Sequence, residues 1–513
     1  MHTTRTIWQG VPPSATVQDG LTGRHKATAA FWLVLFVAVA AARFLFPFHE
    51  TDVMTTHLRV VDSILAGHNW GRQALVGSLE FPPLPTLGLL LANPVADYLK
   101  IGPEKLLVAV CQGWAWLYLI RMPLRASRRF TVAILFLLLL LMPDWREALF
   151  ALDPNWIGLV FVCSTAYHLM RWHDTRSLRD AVIAAINCGL LVFSGLTGLA
   201  FSLSVLGVMT HDLCRFSELE EEDISGIRLL LWVPAVYCFA LWIIWNWLVM
   251  GNMLFLFRQL WYAILSLRAA DLAQVLHFWA DLSLFGLCGL ITLALCLHTR
   301  VHIAATCIMG GLGAVLVMRI ALRLLTMLSP GGALVTLVLG TIGVLLPLMF
   351  LQLPAEHWRS VTWVFVCMAL VTGGLVRSGQ AYASSQSYME GAPEAREVFA
   401  WIDRFWPDSR IVIHGIRAPA VFHDLSEERF VARLDFHPSR FLDQAEDEQL
   451  HLMVPPADGR YYSAHAGPLS DIHANGKPWL LLEKQWESGW QLWRCVIPPE
   501  GKSRLISSPS RYE

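Results

Sequence analysis

Apolar runs long enough to cross a bilayer recur along this chain, and they constrain its fold more than any other feature. A helix needs about 20 consecutive apolar residues to span the hydrocarbon. Residues 27–48 form the first such run, directly after Arg24, His25 and Lys26. Within lipid every backbone N–H and C=O must be satisfied inside the segment, so each run is expected to be a helix. Cytoplasmic loops collect Lys and Arg, which places residues 1–26 inside and residues 49–103 outside. No small-residue cleavage site follows the first run, so it reads as a retained span and not as a signal peptide.

Further runs lie at 104–120, 130–142, 156–170, 181–211, 229–249, 282–297, 303–325, 334–351 and 361–376. The 181–211 run is too long for one span and is interrupted by Gly195 and Gly198, so it reads as two spans with a tight outer turn. The total is about eleven spans. Basic clusters agree with the alternation: Arg121, Arg125, Arg128 and Arg129 on one inner side, then Arg171, Arg176 and Arg179 on the next. Arg319 and Arg323 depart from it, because they fall at the outer end of a span, where charge is costly unless it serves a cavity.

Charged residues make up only 15% of the chain and hydrophobic ones 55%, with a mean hydropathy of +0.49. Soluble domains carry about 25% charged residues. Net charge is -1, which leaves no broad basic surface for nucleic acid. The ten cysteines show no CxxC or Cys/His metal spacing, and most, such as Cys163, Cys288 and Cys367, sit in apolar runs as packing residues.

Composition changes near residue 391. Residues 394–405 read as an amphipathic helix, 410–414 and 451–454 as strands, 439–449 as a helix, and 479–496 as a hairpin turning at Ser488-Gly489. The expected architecture is therefore an all-α polytopic membrane bundle with a small α/β extracytoplasmic C-terminal domain. Its parts are a cytoplasmic tail at 1–26, a transmembrane domain at 27–390 with the outer loop 49–103, and the C-terminal domain at 391–513.

Within that loop, Asp52, Thr55, Thr56, Arg59 and Ser63 share one face of a helical wheel, and Leu58, Val61, Ile64 and Leu65 another. This is the pattern of an interfacial helix, with Gly67 to end it. Glu80-Phe81-Pro82-Pro83 then opens a shorter apolar piece at 84–91, suited to a re-entrant or in-plane helix. Read alone, Glu50 and Asp52 are equally well explained as acids at a helix start.

The order of motifs says more. Asp52 follows the first outward span. The helix end Leu65-Ala66-Gly67, then Glu80 with Pro82-Pro83-Leu84, then Asp153-Pro154, come in sequence. Trp245-Asn246-Trp247 leads to Gly251-Asn252, with Met253 where a proline is usual, and the tail EAREVFAWIDRFWPDSRIVIHG opens the last domain. Together these resemble the C-type glycosyltransferase superfamily, in particular bacterial relatives of protein O-mannosyltransferase and of the lipid A aminoarabinose transferase. The resemblance covers nearly the whole chain. It implies a helical bundle with a cavity open to the outer face, and transfer of a sugar from a polyprenyl-phosphate carrier. It also implies that Asp52 matches the first-loop catalytic acid and Asp153 the second acidic position. Two departures stand out: Val53 follows Asp52 where a second acid is common, the other acid being Glu50, and Phe81 stands where the aminoarabinose branch has a lysine.

Such a transfer needs a base for the acceptor hydroxyl, positive charge for the leaving phosphate and an apolar groove for the lipid. Asp52 is the expected base, with Asp153 and Glu50 as further acids. Arg59, on the same helical face, and the pair Arg319 and Arg323 are the phosphate candidates, with Arg258 behind them. Glu80 and His57 are expected near the substrate. The loop histidines His49, His57 and His68 permit a divalent cation, but no ligand spacing requires one. The expected partners are the polyprenyl-phosphate sugar donor, a glycan, lipid or protein acceptor, and membrane lipid, at the bacterial cytoplasmic (inner) membrane. The rival classes are a lipid-linked polysaccharide polymerase or ligase, and a non-catalytic assembly or transport protein.

Overall fold

The computed structural model describes residues 49–78, 81–121, 151–175, 177–213, 221–255, 257, 395–422, 430–434, 438–447, 449–456 and 467–496. The spans expected at 27–48, 130–142 and from 282 to 376 lie outside the described residues, as do Glu80, Arg258, Arg319 and Arg323.

The first outer segment is built from a short strand, β1 (His49–Glu50), and three helices, α1 (Asp52–Leu65), α2 (Asn69–Gly77) and α3 (Pro83–Leu99). Thr51 caps α1, accepting a hydrogen bond from the Met54 amide at 3.2 Å. Gly67, at φ +85°, ends it in the left-handed conformation that glycine adopts without a Cβ penalty. Helix α2 turns back on α1, and the Gly71 amide donates to Ser63 Oγ at 3.1 Å. Helix α3 starts at the expected proline pair and runs on to Leu99, eight residues beyond the 84–91 piece read from sequence, with Pro94 inside it. Its Leu91, Val95 and Tyr98 continue one exposed apolar face across that proline.

Helices α4 (Pro103–Arg121), α5 (Trp156–Thr175), α6 (Leu178–Val192), α7 (Leu196–Leu213) and α8 (Glu221–Met250) form the bundle. A second short strand, β2 (Ala151–Leu152), precedes α5. The break between α6 and α7 falls at Phe193-Ser194-Gly195, where Gly195 has φ +89°, close to where the two glycines predicted it. Helices α6 and α8 approach backbone to backbone: a Cβ on Gly189 would lie 2.8 Å from the carbonyl oxygen of Pro234. The core is mostly apolar, with Leu159, Cys163, Ala184, Leu191, Phe201 and Trp242 buried together. Cys111, Cys163 and Cys188 are free thiols buried in this bundle, as packing residues should be.

Within 221–250, Ile224–Met250 is long and apolar enough to cross a membrane. Its Leu229, Val233, Val236, Tyr237 and Leu248 are exposed. A continuous apolar surface of this kind suits hydrocarbon and not water.

The C-terminal residues form a separate layer structure. Its strands are β3 (Arg410–His414), β4 (Phe430–Arg433), β5 (Leu450–Val454), β6 (Leu480–Gln485) and β7 (Gln491–Cys495), in the order β4-β3-β5-β7-β6. The first three run parallel and the β6–β7 hairpin is antiparallel. Every residue of β5 is buried, as expected of a strand covered on both faces. Helix α9 (Ala395–Phe405) places Val398 and Ile402 on one face of the sheet. Helices α11 (Pro438–Asp447) and α12 (Gly467–Asn475) place Phe441, Leu442, Leu469 and Ile472 on the other. A short helix, α10 (Arg417–Val421), follows β3. The tail tryptophans Trp479, Trp486, Trp490 and Trp493 are all buried, so they pack the domain and offer no sugar-stacking platform.

Candidate active site

Two segments far apart in sequence are joined by backbone. Strands β1 and β2 pair in parallel, His49 with Ala151 and Glu50 with Leu152. Thr51 Oγ1 donates to the Leu152 carbonyl at 2.9 Å while accepting from Met54 N. Because the strands run parallel, Asp52 and Asp153 leave the same end of this ladder. Asp52 is the first helical residue of α1 and not its cap, since Thr51 holds that position. Asp153 is buried, and its Oδ1 accepts from both the backbone N and the side-chain Nδ2 of Asn155 at 2.9 Å. That hydrogen-bonded turn starts α5, so Asp153 serves the helix start whatever else it does.

The cation beside Asp52 comes from an unexpected place. Arg417, the first residue of α10 in the C-terminal domain, is buried and lies within the field of the Asp52 carboxylate. Burial pulls its guanidinium down to about 10, against the upward pull of Asp52, so it stays charged at neutral pH. The domain is pinned to α2 at two places, one before Arg417 in sequence and one after it. Trp70 Nε1 of α2 donates to the Gly415 carbonyl at 3.0 Å, and the Leu434 amide donates to Gln73 Oε1 at 3.3 Å. Val60, Trp70, Ala74, Phe81, Phe255, Ile416, Ala420 and Leu434 form one apolar cluster across this junction. The C-terminal domain is thus seated on α1 and α2.

The other face of α1 meets α3. His57 is buried, its Nδ1 lies 2.8 Å from Thr86 Oγ1, and its ring meets Phe81 edge-on at 5.4 Å between centroids. Burial pushes its pKa down to about 3, so the ring is neutral. Arg59 is half-buried about two turns along α1 from Asp52. Ser63, at the far end of the same polar stripe, is closed off by Gly71. The stripe is therefore not a uniform cavity wall: α2 covers its lower end. Leu65, expected on the apolar face, is exposed. For Glu50 the backbone pairing in β1 is what is defined. Among the described residues no three His, Cys, Asp or Glu side chains converge as metal ligands.

Asn246 of the tryptophan-rich motif is buried and donates to the carbonyls of Val76 and Trp242, both at 2.9 Å. Trp242 Nε1 donates to the same Val76 carbonyl. The motif ties the C-terminal part of α8 to α2. Thr51 and Arg417 are the two site residues that sequence reasoning missed. A threonine before an acid at a helix start is a readable cap signal. Nothing local marks Arg417, whose relation to Asp52 exists only through the docking of two domains.

No protein-family model matches the chain, and no curated protein matches it. Among solved structures, the chain is similar to ArnT from Cupriavidus metallidurans bound to undecaprenyl phosphate. The identity is 12%, the match covers 91% of this chain and 98% of that one, and the TM-score is 0.46. A likeness of that degree assigns no activity.

Proposed function

We propose that this chain is a membrane glycosyltransferase that moves a sugar from a polyprenyl-phosphate-linked donor to a glycan, lipid or protein acceptor on the extracytoplasmic face. The observation that carries this reading is the β1–β2 ladder, which sends Asp52 and Asp153 out of one end, with the buried Arg417 cation within reach of the Asp52 charge. A carboxylate and a charged guanidinium at one point are what glycosyl transfer from a phosphate needs: a proton acceptor and a counter-charge for the leaving group. The exposed apolar faces of α3 and α8 suit a site reached by a lipid-borne donor. The order of the first-loop acid, the Pro-Pro-Leu segment and Asp153-Pro154 supports the same reading.

In this scheme Asp52 takes the proton of the acceptor hydroxyl. Thr51 orients Asp52 by holding the start of α1 to Leu152. Asp153, its carboxylate held by Asn155, is the second acid of the scheme. The test is turnover of radiolabelled polyprenyl-phosphate sugars by the full chain in proteoliposomes, with release of polyprenyl phosphate as the readout. Asp52→Asn is expected to abolish release. Full release by that variant sinks the assignment of the base, and no turnover of any such donor by the parent chain favours the transport or assembly class.

A further inference from the structure

We propose that Arg417, delivered by the C-terminal domain, is the residue that binds the donor's phosphate, so that this domain completes the active site. The inference rests on the functional reading above and deepens it. The candidates visible in sequence, Arg59 and the pair Arg319 and Arg323, were chosen for their place on helices; Arg417 is singled out by where the fold carries it. It is buried, its helix α10 packs on α1, the charge of Asp52 reaches it, and the residues around it are held by Trp70 on Gly415 and by the apolar cluster of Ile416 and Ala420. A desolvated guanidinium offers five donors in a rigid fork that matches phosphate.

Charge bookkeeping during transfer favours this residue. The acceptor oxygen bonds to the anomeric carbon and its proton passes to Asp52. The bond between that carbon and the phosphate oxygen breaks, and its electron pair leaves on the phosphate. Asp52 loses a negative charge as the phosphate gains one. A fixed cation beside Asp52 then exchanges a carboxylate partner for a phosphate partner without moving, which is the preorganisation that lowers a barrier. It also explains why a domain outside the membrane is packed against the first loop: the docking contacts hold Arg417 in place.

The test uses the full chain in nanodiscs, with farnesyl phosphate as the probe and farnesol as its uncharged counterpart. The parent chain is expected to bind the phosphate at least about tenfold more tightly than the alcohol, the scale of a charge-assisted forked contact. Arg417→Gln is expected to erase that preference and leave farnesol binding unchanged, which also reports that the variant is folded. Arg417→Lys keeps the charge but loses the fork, and is expected to weaken phosphate binding severalfold. Asp52→Asn is expected to keep the preference. If the parent discriminates and both Arg417 variants discriminate equally, the proposal fails while the donor reading stands. If the parent does not discriminate, the donor reading itself fails. Displacement of farnesyl phosphate by phosphatidylglycerol at equal concentration would reassign the arginine to bilayer headgroups and overturn the proposal.

Discussion

Trp70, in the first outer segment, donates its indole N–H to the carbonyl of Gly415, 345 residues further on, at 3.0 Å. Both groups are buried, and the bond sits two residues from Arg417. With the Leu434–Gln73 bond and the apolar cluster, it couples the 52–77 segment to the C-terminal domain.

Trp70→Phe keeps most of the apolar contact and deletes this donor, leaving the Gly415 carbonyl unsatisfied. A buried polar group stripped of its partner costs about 1–3 kcal/mol. The expected outcome is faster amide hydrogen exchange across 410–421 and weaker farnesyl phosphate binding, with the bundle helices α5 and α6 unchanged. Exchange measured by mass spectrometry on the full chain checks it.

Thr51→Ala removes two bonds with one hydroxyl, the cap on Met54 N and the link to Leu152 O. Loss of a cap typically costs about 1 kcal/mol, and here the ladder between the outer segments loosens as well. The variant should show a lower thermal midpoint in detergent and reduced transfer, while Thr51→Ser should retain both. A serine variant as impaired as the alanine one would rule out the hydroxyl as the cause.

Gly71→Ala tests packing against propensity. Alanine in place of glycine favours a helix by about 1 kcal/mol. A Cβ there would lie 2.7 Å from the backbone N of Ile64, and backbone has little room to retreat. Overpacking of this kind costs about 1–3 kcal/mol, so the clash should win. The thermal midpoint is expected to fall; a rise would show that α1 and α2 can separate cheaply.

His451 makes the C-terminal domain sensitive to acid. It is fully buried in β5, with Trp406 at 5.7 Å between ring centroids, Arg494 directly across on β7 and Glu483 bonded to Arg494 at 2.6 Å. Burial pushes its pKa down to about 4, with Glu483 opposing that shift and Arg494 adding to it. The unfolded chain holds the proton more tightly, so stability is full above the ordinary value near 6.5 and is lost as pH falls from there toward 4. Each unit of displacement is worth about 1.4 kcal/mol. Amide protection of 450–454 should therefore drop between pH 7 and 5, and His451→Leu should flatten that dependence. An unchanged slope in the variant would place the acid sensitivity elsewhere, with His57 the next group to test.

Much of the architecture was legible in the residues because one physical rule governs each part. Apolar length and a glycine break marked α5, α6, α7 and α8, since a span must satisfy its own backbone. Alternating and continuous apolar patterns marked β3, β5 and the β6–β7 hairpin, whose turn falls at Gly489 with φ +86°. Helix α2 was not legible: Asn69–Gly77 mixes glycines and polar residues, and it is helical because it packs on α1 and against Leu434. The extension of α3 past Pro94 was missed because one proline reads as a stop. That helix continues because its first turn is anchored, Leu84 N donating to Phe193 O at 2.9 Å, and because Ala96, beyond the proline, is buried.

The candidate site divides along the same line. The sequence by itself determined that Asp52 and Asp153 stand at helix starts beside long apolar runs, because apolar length and helix-start signals are local properties. Only the tertiary structure decided that the Thr51 hydroxyl also bonds Leu152, that Asp52 and Asp153 leave one end of a shared ladder, and that Arg417 comes within reach of the Asp52 charge. The physical reason is that electrostatic and hydrogen-bond partnerships depend on distance in space. Docking one domain on another brings together groups that no spacing along the chain relates.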